Sequence, residues 1–313
     1  MGESSPVTRH LGLDLGGTYI KWTVLERERD EWRILGKGRA DTPSTKGADA
    51  VVWRLAGVGD EAISSWPGVA TVGIGVPGSY DPATGATRSL TNIPGDWDGR
   101  PVASVVGAAF GLHAFLINDA RAFGLAELRM GAGRGASSMV GITLGTGVGG
   151  VIAIDGKIHY GHDGSAGEMG HQVVEPDGPE CSCGGRGCLE IFVGAARIES
   201  ACQAASVEEA VIRARAGDPE AIAALSSAGR YLGIGIANMV SVLTPDRIVI
   251  GGGVGESLDV FIDTIWKELR DRVHLTPLDQ VEIVPAQLGV WAGAIGAAIH
   301  GAEAATNRGA EAG

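Results

Sequence analysis

His10-Leu11-Gly12-Leu13-Asp14-Leu15-Gly16-Gly17-Thr18-Tyr19-Ile20-Lys21-Trp22-Thr23-Val24-Leu25 holds two short apolar runs around a pair of glycines. His10–Leu15 and Tyr19–Leu25 read as strands, and Gly16-Gly17 allows the tight turn between them. A third strand is expected at Ile34–Arg39. The second half of the chain opens in the same way. Met139–Leu144 and Val148–Ile154 read as strands around Gly145-Thr146-Gly147. An apolar strand, a Gly/Thr turn and a second apolar strand thus occur twice. This weak internal repeat points to two similar lobes.

The other elements follow from these two anchors. Ala48–Trp66 has helical spacing and stops at Pro67-Gly68. Thr71–Val76 is a compact, β-branched strand. Pro77–Gly99 is polar, rich in Pro, Gly, Thr and Asp, and reads as a loop. A helix is expected at Val102–Phe110 and a strand at Ala114–Ile117. Asp218-Pro219 opens a helix that reaches about Leu243, with Asp as cap and Pro in the first turn. Arg247–Ile250 and Val281–Val284 read as strands, Leu258–Val273 and Ala292–His300 as helices. Strands alternating with helices give an α/β protein, whose ligands bind beyond the carboxyl ends of strands or between lobes.

The bulk numbers narrow the class. The chain has 313 residues, 44% of them apolar and 20% charged, enough for two lobes of ordinary size. Net charge is −12 and the 25 basic residues are scattered, so nucleic acid is not expected as a partner. There is no apolar run of 18 residues and no signal-peptide core in the polar stretch Met1–His10, so no membrane contact and a cytoplasmic location are expected. In that reducing compartment the four cysteines are metal ligands, reactive thiols or core residues rather than disulfides. Glycine is the outlier, 51 of 313 residues against a usual ~7%.

Three glycine-rich turns stand at strand ends: Asp14–Thr18, Gly145–Gly147 and Gly251–Gly253. Backbone N–H groups in such turns can cradle phosphate oxygens. Asp14 beside the first turn could hold a Mg²⁺–nucleotide through water. Asn118-Asp119 follows a strand directly. Asp119 reads either as the cap of a helix over Ala120–Met130 or as a general base for phosphoryl transfer. His171-x9-Cys181-x-Cys183-x4-Cys188 places one imidazole and three thiols within 18 residues, a donor set suited to tetrahedral, structural Zn²⁺. Cys202 lies in an apolar helical stretch and reads as core. Glu168 and Glu190 bracket the cluster. Glu168 and His171 would share one side of a helical turn, and carboxylates can accept from sugar hydroxyls.

Taken together these segments resemble the ROK family of sugar kinases and repressors. The resemblance is carried by Leu13–Thr18, Asn118-Asp119, Leu144-Gly145-Thr146-Gly147-Val148-Gly149-Gly150, Gly167-Glu168-Met169-Gly170-His171, Cys181-Ser182-Cys183-Gly184-Gly185-Arg186-Gly187-Cys188-Leu189-Glu190 and the triple glycine at Gly251. It implies an α/β, actin-like ATPase (ribonuclease H-like) fold of two lobes with a central cleft. The smaller lobe would be 1–118 plus 293–305 and the larger 119–292 with the zinc motif; independently of the resemblance, the stretch after the last helix, Gly301–Gly313 and at the least 306–313, reads as a disordered tail. The resemblance implies an ATP-dependent hexose kinase acting on the 6-hydroxyl, with Asp119 as the base. Asn92, Asn118, Asp119, Glu168, His171 and Glu190 would bind the sugar. Asp14, Gly16, Gly17, Thr18, Lys21, Gly145, Thr146 and Gly147 would hold the nucleotide phosphates, with Gly252 and Gly253 near the adenosine. His171, Cys181, Cys183 and Cys188 would ligate zinc, His171 reaching the sugar through its second nitrogen. ATP, Mg²⁺, structural Zn²⁺ and a homodimer or higher homo-oligomer complete the expectation.

A repressor of this family would carry a helix-turn-helix domain ahead of the first glycine motif. None is expected before Asp14. A non-catalytic sugar sensor would not need Asp119 together with the phosphate turns. Polyphosphate-using members tend to lack the zinc cysteines. Glucose is the expected hexose, with N-acetylglucosamine, mannose and amino sugars such as kanosamine as alternatives. The loop Gly75–Asn92 is expected to line the side of the sugar on which these differ.

Overall fold

The computed structural model describes residues 7–311. Residues 1–6, part of the polar N-terminal stretch, and 312–313, the end of the expected tail, lie outside the described residues. The chain divides into two compact units. One runs to Met130 and resumes at Val290; the other is Gly131–Gly289.

The first unit contains β1 (Thr8–Leu15), β2 (Tyr19–Glu28), β3 (Glu31–Asp41), α1 (Ala48–Ser65), β4 (Val69–Val76), β5 (Gly78–Asp81), β6 (Ala86–Leu90), α2 (Val102–Phe110), β7 (His113–Asn118) and α3 (Asp119–Met130). Its main sheet has the order β3-β2-β1-β4-β7. The β1–β2–β3 part is antiparallel, as short turns require, while β4 runs parallel to both β1 and β7. Apolar residues on β1 and β4, such as Leu11, Leu13, Val72 and Ile74, pack with Val51 and Leu55 of α1 and Val106 of α2. The carboxyl ends of β1, β4 and β7 carry Gly16, Pro77 and Asp119.

The segment read as a loop over Pro77–Gly99 contains the β5–β6 hairpin. Its polar residues hide the strand pattern, but its turn is built by Asp81. That carboxylate accepts from the Ala83 N–H at 2.9 Å, and the Asp81 carbonyl accepts from the Gly85 N–H at 2.8 Å.

The second unit contains β8 (Ser138–Leu144), β9 (Val148–Ile154), β10 (Lys157–Ile158), α4 (Leu189–Val193), α5 (Ala195–Cys202), α6 (Val207–Arg215), α7 (Pro219–Leu243), β11 (Arg247–Gly251), α8 (Ile262–Arg272) and β12 (Glu282–Pro285). Its sheet order is β10-β9-β8-β11-β12, with β11 parallel to β8 and β12. Asp218 caps α7, accepting from the Glu220 N–H at 2.9 Å, and Pro219 occupies the first turn. Cys202 is fully buried in the core of this unit. The single helix expected over Leu258–Val273 is divided. A 3₁₀ segment, Gly255–Val260, precedes α8, and Ser257 inside it has non-helical backbone angles.

The last helix, α9 (Ala292–Glu311), belongs to the first unit and packs on β1, β4 and α3. Against boundaries expected at 118 and 293, α3 therefore falls in the first unit, because it lies along α9. The helix also continues past His300, through residues read as a tail. Glu303 pairs with Arg129 at 2.8 Å, the Thr306 hydroxyl donates to the Ala302 carbonyl at 3.0 Å, and the Arg308 guanidinium lies over the Phe115 ring. Alanine-rich sequence with these anchors suffices to propagate a helix. Part of the glycine excess is explained here. A Cβ at Gly73 of β4 would collide with the Ala297 carbonyl, and one at Gly296 of α9 with the Ala122 carbonyl. Helix and sheet approach backbone to backbone. Among the described residues no helix is long and apolar enough to cross a membrane.

Gly73→Ala is expected to cost about 3 kcal/mol or more, because backbone on both sides must move. Gly57→Ala, on α1 with only the Arg54 side chain near, is expected to gain about 0.5–1 kcal/mol. Urea denaturation of the two variants checks the contrast. Equal stabilities would show that α9 does not need the close approach.

Candidate functional site

In the first unit the candidate residues gather at the carboxyl end of the sheet. Asp14, near the end of β1, is 9% exposed and pairs with Lys21 of β2 at 3.1 Å. This close pairing follows from register, since Asp14 and Lys21 are direct partners across β1 and β2. The Gly16 N–H donates to the Tyr19 carbonyl at 3.0 Å and closes the first turn. Thr42 pins that turn, its hydroxyl donating to the Gly16 carbonyl at 2.7 Å. Thr18 is exposed. A Cβ at Gly17 would lie 2.8 Å from the Asn92 carbonyl, so the Asn92 loop rests on the turn. Asn92 itself is exposed and left-handed (φ 62°), a conformation its short amide tolerates.

Asn118, not Asp119, caps α3. Its Oδ1 accepts from the Ala120 and Arg121 N–H groups at 3.1 and 3.3 Å. Its Nδ2 donates to the Gly78 carbonyl at 3.2 Å and to Asp119 Oδ1 at 3.0 Å. The Ala120 N–H also donates to Asp119 Oδ1, at 2.9 Å. Both of these bonds fall on one oxygen, and Oδ2 is the one left for a proton. Burial, and then the negative charge of Asp14, push Asp119 up to about 6; the Ala120 N–H and the charge of Arg121 act the other way. The carboxyl is thus poised as a base near neutral pH.

Two contributors near Asp14 and Asp119 carry no sequence signal of a site. Arg121 is 3% exposed and reads simply as one residue of α3. Gly293, in the first turn of α9, meets Asp14 so closely that a Cβ there would lie 2.7 Å from its carboxylate. The small-residue run Ala292-Gly293-Ala294 is the only hint of this approach.

In the second unit the turn Gly145–Gly147 joins β8 to β9. The Gly145 N–H donates to the Gly147 carbonyl at 3.0 Å, and the space where Gly145 would carry a Cβ is open. Thr146 is exposed. Gly252 and Gly253 follow β11, the parallel neighbour of β8. Gly252 has φ +84°, and a Cβ there would strike the Leu144 carbonyl. The second and third glycine turns are therefore adjacent.

Glu168 stands at the entry of a 3₁₀ turn, Met169–His171, and the His171 N–H donates to the Glu168 carbonyl at 3.1 Å. Glu168 is exposed and His171 half-buried. The side-chain donor atoms of His171, Cys181, Cys183 and Cys188 all lie within 4.8 Å of one another. Zn–S bonds of about 2.3 Å in a tetrahedron require S···S edges of about 3.8 Å. Cys183 Sγ and Cys188 Sγ are 3.7 Å apart, and Cys181 Sγ lies 3.7 Å from His171 Nδ1. The four residues fit a zinc ion, with Nδ1 as the imidazole donor. Without a cation, burial and the neighbouring thiols push Cys188 up to about 12. Close chain crossings make the knuckle, as where Gly187 lies against the Glu175 carbonyl. Glu190, in the first turn of α4, accepts from the Val148 N–H at 2.9 Å through Oε2.

A sequence profile of the ROK family matches residues 10–303. A glucokinase of Thermotoga maritima is 33% identical over 312 residues, 94% of this chain and 97% of that one. An N-acetylgalactosamine kinase of Shewanella is also 33% identical, over 94% of this chain and 98% of its own. The crystal structure of a ROK family glucokinase from Streptomyces griseus, in complex with glucose and AMPPNP, superposes with a TM-score of 0.80 at 30% identity, covering 95% of this chain and all of that one. The α/β, actin-like ATPase fold implied by the resemblance is present.

Metal analysis of the purified protein is expected to give one zinc per chain, and Cys183→Ser is expected to lose it with a drop in melting temperature. Full zinc content in that variant would refute the ligand set.

Proposed function

The chain belongs to the ROK family, and from that premise we propose that it is an ATP-dependent hexose kinase that phosphorylates the 6-hydroxyl of glucose. The observation that carries the reading is Asp119, a carboxyl held near neutral pKa at the end of β7 in a chain whose relatives include glucokinases.

Asp119 accepts the proton of the 6-hydroxyl as that oxygen attacks the γ-phosphorus. The new O–P bond forms while the bond from the γ-phosphorus to the bridging oxygen breaks, and ADP leaves. The proton stays on Asp119. Such transfers depend on positioning and charge neutralisation rather than covalent catalysis. Asn92, Asn118, Glu168, His171 and Glu190 hold the remaining hydroxyls, His171 through Nε2. Gly16, Gly17, Thr18, Lys21, Gly145, Thr146 and Gly147 hold the phosphates, and Gly252 and Gly253 lie near the adenosine. Asp14, beside the first turn, would hold the Mg²⁺ that accompanies ATP, and that ion would offset phosphate charge. His171, Cys181, Cys183 and Cys188 would hold zinc, which would order the His171 imidazole, and His171 offers its second nitrogen to the sugar. The enzyme works in the cytoplasm as a homodimer or higher homo-oligomer.

The equal identity to an N-acetylgalactosamine kinase supports a second reading, in which the sugar is an N-acetylhexosamine. A coupled ADP-release assay with Mg·ATP against glucose, mannose, N-acetylglucosamine, N-acetylgalactosamine and kanosamine separates the two. Turnover strongest with glucose supports the first reading; turnover only with acetylated sugars supports the second. Asp119→Ala is expected to lose at least about 10²-fold in turnover while still binding the sugar. Near-normal turnover would remove Asp119 as the base.

The pH dependence has a definite sign. The base form of Asp119 exists above its pKa, so kcat/KM is expected to fall tenfold per pH unit below about 6. Asp14→Asn removes one of the two influences that raise this value and should move the acidic limb of its residual activity to lower pH. A wild-type limb near the ordinary aspartate value of 3.8 would contradict the role.

A further inference from the structure

Val148, the residue after the Gly145–Gly147 turn, is gripped on both of its peptide groups by neighbours of metal ligands. Its N–H donates to Glu190 Oε2 at 2.9 Å, and Glu190 stands two residues after Cys188. Its carbonyl lies against Gly170, the residue before His171, so closely that a Cβ at Gly170 would collide with it. The turn itself is enclosed by the same segment. A Cβ at Gly147 would strike Glu190 Oε2, and the Thr146 carbonyl lies 2.9 Å from where a Cβ of Gly194 would stand. The Ala195 N–H, at the start of α5, donates to the Gly145 carbonyl at 2.9 Å. Each residue of the turn therefore meets the stretch that leads from Cys188 through α4 into α5.

A carboxylate beside a phosphate-holding turn is electrostatically unfavourable, so its presence there calls for a geometric reason. A bond from a backbone N–H to an ionised acceptor is among the strong ones. It fixes the peptide that follows two glycines, which would otherwise sample many conformations. A preorganised turn does not lose that freedom when a ligand arrives.

We propose that Glu190 is a positioning residue for the nucleotide: its carboxylate holds the Gly145–Gly147 turn in its phosphate-accepting shape. The metal cluster, by fixing Gly170-His171 and Cys188–Glu190, couples its own occupancy to nucleotide affinity. Oε1 remains for a sugar hydroxyl, so one carboxylate serves both ligands. This rests on the reading that the turn holds phosphates.

The test is AMPPNP binding with Mg²⁺ in the absence of sugar, by calorimetry. Glu190→Ala, with its zinc content and circular dichroism matching wild type, is expected to bind about tenfold more weakly or worse. Glu190→Gln keeps an acceptor oxygen and should stay within about threefold of wild type. Gly145→Val fills open space at the turn and tests the underlying reading by itself. Unchanged affinity in Gly145→Val would mean that the turn is not the phosphate site. Loss in Gly145→Val with wild-type affinity in Glu190→Ala would overturn the positioning role alone. Linkage supplies a readout without variants, since coupling between two sites is reciprocal. Saturating AMPPNP should make wild-type protein retain zinc against a chelator. Equal zinc loss with and without AMPPNP would overturn the coupling.

Discussion

Asp14, near the end of β1, and Asp119, just after the end of β7, belong with strands that are separated in the sheet only by β4, and two negative charges brought this near each other must each be accounted for. The strand between them is glycine-bearing at this level. Gly75 pairs with Asp14 on one side and with Ile117 on the other, and it adds no side chain beside Asp14. Lys21 compensates Asp14 directly at 3.1 Å. Among the described residues Asp119 makes no such ion pair; it has Asn118, the Ala120 N–H and the charge of Arg121. The asymmetry assigns different chemistry to the two carboxyls. The one beside a lysine is directly compensated by it. The one supported by neutral donors is suited to exchanging a proton.

The second unit meets a different requirement with different means. Its glycine turn and the 3₁₀ turn that carries Glu168 and His171 are short, and Glu190 stands in the five-residue helix α4, so little regular bonding fixes the backbone there. Four soft donors within 4.8 Å give those segments a common anchor. All four proposed ligands come from the protein, so the metal has no open position from which to act on a substrate. On the proposed coupling its effect would be mechanical, passing through Gly170 and Glu190 to Val148, which is itself part of β9.

Legibility in the sequence followed the range of the forces involved. Strands β1, β2, β8 and β9 were readable because short apolar runs and the Gly/Thr turns between them are local signals, and α7 announced itself through Asp218-Pro219. The β5–β6 hairpin was not readable, since its stability comes from cross-strand pairing in a polar segment. The continuation of α9 was missed for the same kind of reason. Its anchors, Arg129 and Phe115, lie far away in sequence. The donor cluster was visible because ligand spacing is short and chemically specific. Which residue caps α3 was not, because Asn118 and Asp119 are both good caps and only the Gly78 carbonyl, drawing the Asn118 amide, distinguishes them. Glu190 was readable as a carboxylate near the cluster, but its bond to Val148 spans 42 residues and has no sequence signature.

The proton-accepting role proposed for Asp119 and the stability of the first unit pull in opposite directions. Unfolded, the carboxyl titrates near 3.8; folded, it is held at about 6. Between those values the native state binds more protons than the unfolded chain, so its advantage declines as pH rises through that window and the loss is complete above it. As the proposed base, Asp119 would work in the ionisation state that favours the fold least. What offsets this is the close packing around the same residues: α9 against β1 and β4 through Gly73 and Gly296, and α3 along α9. That packing has a second consequence. A helix that contacts the sheet through backbone cannot slide or tilt without collision, so the first turn of α9 keeps Gly293 against Asp14 and Asp14 within range of Asp119. The glycines that look like a compositional oddity thus supply both the rigidity that holds the base and part of the stability that tolerates it.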